Sequence, residues 1–242
     1  MKFDTFAVPF TDDRRMIYAK EYLEKNSYRC VSSVGEADFV VLPLPVKKEM
    51  LSGLDGKTVF LGKGDFPGTF DYYKNENFVM KNAILTAEGA VALAEETTDI
   101  SLYRSKILIC GFGRIGCALA SVLNGYGADI TVCSRSEVSK TKALFAGAKH
   151  ITLEQLVNKN DYDIVFNTIP HMIFTAKELK ALKSEAVIID LASFPGGVDT
   201  LMASSLGLRL VDGKGIPKRY AVKTAGYLIG EAITEMIEEE IS

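Results

Sequence analysis

The run Ile107-Leu108-Ile109-Cys110-Gly111-Phe112-Gly113-Arg114-Ile115-Gly116 constrains this chain more than any other stretch. An apolar segment runs straight into G-x-G-x-x-G and an amphipathic segment follows, a pattern that fits a buried strand, a tight turn and a helix. Each glycine has its own physical task. Gly111 permits the turn, Gly113 lets a pyrophosphate approach the backbone, and Gly116 lets the helix pack closely on the strand. Free N–H groups and the dipole at the helix start favour an anion there. Gly111, Phe112, Gly113, Arg114, Ile115 and Gly116 are therefore expected to line a dinucleotide site.

The same alternation of apolar run, turn and amphipathic stretch recurs along the chain without internal repeats, and it predicts an α/β protein with parallel sheets. In the first third, strands are expected over 3–10, 38–43 and 57–61 and a helix over 12–25. An alanine-rich segment with helical spacing over 82–98 predicts a long helix joining two lobes. Beyond it, strands are expected at 106–110, 129–133, 150–152, 163–167, 186–190 and 208–211, with helices at 115–126, 137–145 and 223–240. The expected organisation is a small N-terminal α/β lobe (1–81), a linker helix (82–104), a Rossmann-type doubly wound parallel domain (105–222) and a C-terminal helix (223–242) packing back on the lobe junction.

Composition excludes several classes. With 28 Lys and Arg against 31 Asp and Glu, the net charge of −3 offers no general attraction to nucleic acid or anionic lipid. No apolar run approaches the ~18 residues of a membrane span. The start, Met1-Lys2-Phe3-Asp4, lacks the features of a signal peptide, so a cytoplasmic protein is expected. The four cysteines form no C-x-x-C pair and the two histidines do not cluster, so no metal site is expected.

The end of the second strand bears on the choice of dinucleotide. NAD sites carry an Asp or Glu there, about 20 residues past the glycines, to accept from the ribose 2′-hydroxyl. This chain has Ser134-Arg135-Ser136 instead, and a guanidinium between two hydroxyls suits a 2′-phosphate. The pattern favours NADP, with NAD left open. Thr168-Ile169-Pro170 ends a later strand and is expected on the nicotinamide side, and Ser193 to Gly197 borders the same cleft. His171 follows Pro170 within reach of that cleft, although a lone His is more often structural, and His150 is expected at the surface.

Taken together, these segments resemble the dipicolinate synthase A-chain family of spore-forming bacteria. The stretches that carry the resemblance are Asp12-Asp13-Arg14-Arg15, Val40 to Pro45, Asn82 to Gly89, Gly111 to Gly116, Ile164 to Pro170, Ile189 to Ser193, Pro195-Gly196-Gly197 and Lys223-Thr224-Ala225-Gly226. The resemblance implies oxidation of a dihydrodipicolinate-type precursor to dipicolinate (pyridine-2,6-dicarboxylate) for sporulation, with a flavoprotein-like second subunit. Phe194 departs from it, standing where relatives commonly carry a basic residue, and Lys218-Arg219 is a cationic pair that could compensate.

An aromatic dianion as product requires loss of a hydride and a proton from the ring, and groups that hold two carboxylates. The candidates are Lys47, Thr86, Ser193, Lys223 and Thr224, with Lys47, Lys223 and Ser193 as catalytic groups and Thr86, Ser193, Lys223 and Thr224 as substrate-binding groups. Which lysine acts as base stays open, a solvated face is the blander reading for Lys47 or Lys48, and Glu88 is a second candidate base. Homo-oligomerisation also stays open. Two alternatives remain: a nucleotide-binding sensor or non-catalytic subunit, and a methylenetetrahydrofolate- or shikimate-dehydrogenase-like enzyme. The Tyr-x-x-x-Lys pair of the folate enzymes is absent, and so is the late catalytic His of D-2-hydroxyacid dehydrogenases.

Overall fold

The computed structural model describes residues 3–158 and 160–241. Met1 and Lys2, on which the expectation of no leader partly rests, Lys159, and Ser242 at the end of the expected C-terminal segment lie outside the described residues. The chain begins β1 (Thr5–Ala7), α1 (Arg14–Lys25), β2 (Arg29–Cys30), β3 (Phe39–Val41), β4 (Thr58–Leu61), β5 (Thr69–Asp71) and α2 (Glu76–Thr97). It continues β6 (Lys106–Cys110), α3 (Arg114–Gly125), β7 (Asp129–Cys133), α4 (Glu137–Phe145), β8 (Lys149–Ile151) and β9 (Ile164–Asn167). It closes with α5 (Ala176–Ala181), β10 (Val187–Asp190), α6 (Thr200–Ser205), β11 (Arg209–Asp212) and α7 (Val222–Ile241).

These elements form two compact units, Met1–Leu85 with Pro217–Ser242, and Thr86–Ile216. The long helix expected over 82–98 begins earlier, at Glu76, because the Asn75 carboxamide accepts from Phe78 N–H at 2.9 Å and caps it. It carries the chain from the first unit into the second.

The first unit holds a five-stranded parallel sheet in the order β2-β1-β3-β4-β5. Successive side chains of a strand point to opposite faces, so Phe39, Val41 and Phe60 enter one core and Val40, Val59 and Leu61 another. Met16, Ala19 and Leu23 of α1 and Ile229, Ala232, Ile233 and Ile237 of α7 close over the Phe6–Phe39–Phe60 side. Edge strands β2 and β5 form where the sequence shows no strand pattern.

The second unit holds a six-stranded parallel sheet in the order β11-β10-β9-β6-β7-β8. Counted from β6 this is 3-2-1-4-5-6, the doubly wound dinucleotide-binding order, with its reversal between β6 and β9. Register sets Cys110 beside Asn167 on one side and Cys133 on the other. Leu108, Cys110, Cys133, Val165 and Ile188 share one buried face. Six-residue helices α5 and α6 are additional to the expected elements; Thr175 and Glu178 close a capping box on α5.

Candidate functional site

Gly111 leaves β6 with φ +90°, and a Cβ there would lie 2.4 Å from Thr168 Oγ1. Gly116, on the first turn of α3, presses its Cα against the turn, since a Cβ would lie 2.2 Å from the Gly111 carbonyl oxygen. Gly113 differs: it caps α3, is exposed, and a Cβ would meet nothing within 4 Å. Gly113 thus leaves the start of α3 open, where the main-chain N–H groups of a helix N-terminus favour an anion. Phe112 is buried, Ile115 half-buried and Arg114 exposed. The neighbouring Cys110 thiol is fully buried, and burial together with Cys133 pushes it well up, so no thiolate is available beside the turn.

At the tip of β7, Ser134 is nearly buried and its Oγ lies 3.0 Å from His150 Nε2. The expectation that His150 lies at the surface is corrected: the ring is half-buried and engaged, because β8 pairs in register with β7. Arg135 is exposed, and Ser136 caps α4 by accepting from Ser139 N–H at 3.3 Å.

Two loops leave β9 and β10 beside this turn. Thr168 Oγ1 donates to the Cys110 carbonyl at 2.8 Å, tying the β9 loop to β6. Asn167, fully buried, donates to Asp190 Oδ1 at 2.8 Å and to the Ile169 carbonyl at 3.2 Å. Asp190 accepts in addition from Ala192 N–H and Gly197 N–H, both at 3.3 Å, with Lys214 Nζ 3.8 Å away. Ile173 and Phe174 N–H both donate to the Gly197 carbonyl at 3.0 Å. A Cβ on Gly197 would lie 2.4 Å from Asn167 Nδ2, so only glycine lets the loops meet. Sequence reasoning missed Asn167, Asp190 and Lys214 as a group, although two polar residues closing buried strands are a readable signal.

The carboxyl ends of β6, β7 and β9 thus bring together Gly111 to Gly116, Ser134 to Ser136 and Thr168 to Pro170. Ser193 and Phe194 stand exposed on the β10 loop, Phe194 at 90%, and His171 is exposed on the β9 loop. Thr86 is buried on α2, and Glu88 on the same helix is exposed. Lys47, Lys48, Lys223 and Thr224 are exposed in the first unit, with Lys223 Nζ 5.5 Å from the Tyr227 ring centre. There too, Arg15 is buried, forms a bidentate pair with Asp13 (3.0 and 2.6 Å) and donates to the Leu44 carbonyl, while Lys218 Nζ lies 3.3 Å from Asp13. Lys218 therefore shares the Asp13 carboxylate with Arg15, and the three groups together carry one net positive charge.

Residues 77–193 match the family model described as D-isomer specific 2-hydroxyacid dehydrogenase, NAD binding domain. The A chain of dipicolinate synthase from Bacillus subtilis (strain 168) is 30% identical over 168 residues, 69% of this chain. In sequence this chain is similar to the dipicolinate synthase A chain. The match spans 57% of that relative's length. In fold, the chain resembles the crystal structure of the dipicolinate synthase A chain from Bacillus subtilis, with TM-score 0.86 and 22% identity over 99% of this chain and 97% of that one. It also resembles the corresponding dipicolinate synthase chain from Bacillus halodurans, with TM-score 0.83 and 20% identity over 96% of each chain. The second unit is a nicotinamide-dinucleotide-binding domain of the dehydrogenase type. Among the described residues, no helix is long and apolar enough to cross a membrane.

Proposed function

We propose that this chain is the oxidoreductase subunit of a dipicolinate synthase, oxidising a dihydrodipicolinate-type precursor to pyridine-2,6-dicarboxylate, with NADP preferred to NAD. One arrangement carries the reading: the glycine turn of β6 and the loops bearing Thr168 and Ser193, tied by Asn167 and Asp190, share the carboxyl ends of three adjacent strands. Ligands of doubly wound sheets bind in that crevice. Bound there, a nicotinamide supplies the hydride acceptor. Main-chain N–H groups at the start of α3 hold the pyrophosphate, and Thr168, Ile169 and Pro170 border the nicotinamide. Arg135, flanked by Ser134 and Ser136, meets the adenosine 2′-phosphate.

In this reading the unit from Thr86 to Ile216 is the one that binds the dinucleotide. The substrate-binding candidates are Ser193 and Thr86 in that unit and Lys223 and Thr224 in the first, hydroxyls and a cation of the kind that bind carboxylates. Lys47, Lys223 and Ser193 are the catalytic candidates, and the ring proton lost with the hydride passes to whichever of the two lysines is present as the neutral amine. The partner is a flavoprotein-type second subunit, and the setting is the sporulating cell's cytoplasm. A second reading, a dinucleotide-sensing protein without chemistry of its own, is favoured by Phe194, an exposed aromatic residue where a cation would serve a carboxylate.

The test follows the appearance of NADPH absorbance on adding freshly generated dihydrodipicolinate to the chain and NADP, with and without the flavoprotein. Turnover in either preparation supports the enzyme; cofactor binding without turnover in both supports the sensor. Arg135→Ala is expected to weaken NADP binding by about tenfold to a hundredfold, the size of a charge-assisted hydrogen bond, and to leave NAD nearly unchanged in the same titration. Equal losses for both dinucleotides would remove Arg135 from the 2′-phosphate.

A further inference from the structure

Beyond the glycine turn, one side-chain contact ties the end of β7 to the neighbouring strand. Ser134 Oγ lies 3.0 Å from His150 Nε2. The sheet holds both groups there: Val132 is in register with His150 and Cys133 with Ile151, and Ser134 N–H donates to the Ile151 carbonyl at 3.2 Å. Ser134 is also the first residue past β7, where an NAD site would carry its acceptor carboxylate.

A serine hydroxyl has one proton to give. Ser134 is 6% exposed, so bulk water competes little for that proton and the imidazole decides where it points. If Ser134 donates to His150, only lone pairs remain for a ligand, which suits a ribose 2′-hydroxyl. If His150 donates through Nε2–H, the Ser134 proton turns outward. A 2′-phosphate offers only acceptor oxygens at neutral pH and needs that outward donor. The tip carries no carboxylate and carries exposed Arg135 next in the chain, so an outward donor matches the charge beside it.

We infer that His150 is a positioning residue for cofactor choice: it donates through Nε2 to Ser134 and so presents the Ser134 hydroxyl proton to an adenosine 2′-phosphate. This rests on the dinucleotide site proposed above. The geometry comes from strand pairing, since β8 brings in a residue that no glycine fingerprint includes.

The test measures dissociation constants of NADP and NAD for the full chain by titration. His150→Leu is expected to lower the preference for NADP over NAD by about tenfold to a hundredfold, the size of a hydrogen bond to a charged group, and Ser134→Ala by a similar factor. His150→Gln, whose amide can donate from nearly the same place, should retain the preference. In a Ser134→Ala background, His150→Leu should change the ratio no further. If the leucine variant does not fold, His150→Asn, too short to reach Ser134 from the Nε2 position, should give the same shift. An unchanged ratio, an equal loss of both cofactors, or the same shift with and without the Ser134 hydroxyl overturns the inference while leaving the dinucleotide site intact. Failure of the wild-type chain to bind either dinucleotide overturns the site and the inference together.

Discussion

Gly113 and Gly116 share one turn and are glycine for opposite reasons. At Gly116 the missing side chain makes room for protein, the Gly111 carbonyl; at Gly113 it leaves open space, the side proposed above to face the pyrophosphate. Gly116→Val is therefore expected to cost about 1–3 kcal/mol or more of stability through overpacking, read as a lower urea midpoint. Gly113→Val should keep the wild-type midpoint and lose NADP binding; undiminished affinity in that folded variant would detach the glycine fingerprint from the cofactor. A second residue-scale prediction concerns Asp13. Burial opposes its charged form, but the Arg15 hydrogen bond and the Arg15 and Lys218 charges together hold the carboxyl below its ordinary value of 3.8. A depressed folded-state pKa contributes stability that is present above the unfolded value and lost as pH falls through the folded one. Asp13→Asn, which leaves the Arg15 guanidinium buried and unpaired at 4% exposure, should cost about 3–5 kcal/mol near neutrality. It should also flatten the loss of stability below about pH 4, and urea midpoints measured across pH check both signs.

At the scale of elements, α1 and α7 approach closely because α7 offers Gly226 and Gly230 to the facing helix. A Cβ on Gly226 would lie 2.4 Å from the Arg15 carbonyl oxygen, and one on Gly230 would lie 2.7 Å from Tyr22 Cδ1. Replacing a mid-helix glycine by alanine gains about 1 kcal/mol of helix propensity, yet backbone cannot yield as a ring can. Gly226→Ala is therefore expected to be net destabilising by about 1–2 kcal/mol, and Gly230→Ala less so, as compared by thermal unfolding. A stabilised Gly226→Ala would mean that the helices part easily. In the second unit, the loops after β9 and β10 are tied by the same logic: Gly197 permits the approach and Asn167 with Asp190 fastens it.

On the scale of the whole molecule, each unit has its own parallel sheet and its own core, and α7 returns the end of the chain to the first unit. NADP at about a hundred times its dissociation constant should stabilise the unit that binds it by about 2.7 kcal/mol. In hydrogen exchange, slower amides are expected around Gly111 to Cys117 and Ser134, with β3 of the first unit unchanged. Equal protection of Phe39–Val41 would mean that both units respond to the dinucleotide. Much of the second unit was legible beforehand: β6, β7 and α4 have the expected bounds, since strands buried on both faces read as continuous apolar runs. Short edge strands β2 and β5 were not, because two or three residues pair only when a neighbouring strand is already in place. The start of α2 lies ahead of the alanine-rich stretch, and its one local signal is the capping residue Asn75. Local order alone, set by neighbours a few residues away, determined the glycine turn, the strand–helix alternation and the missing carboxylate after β7. Only the tertiary structure decided that His150 meets Ser134 and Asn167 meets Asp190, because such pairs depend on strand register across the sheet, which separation along the chain does not encode.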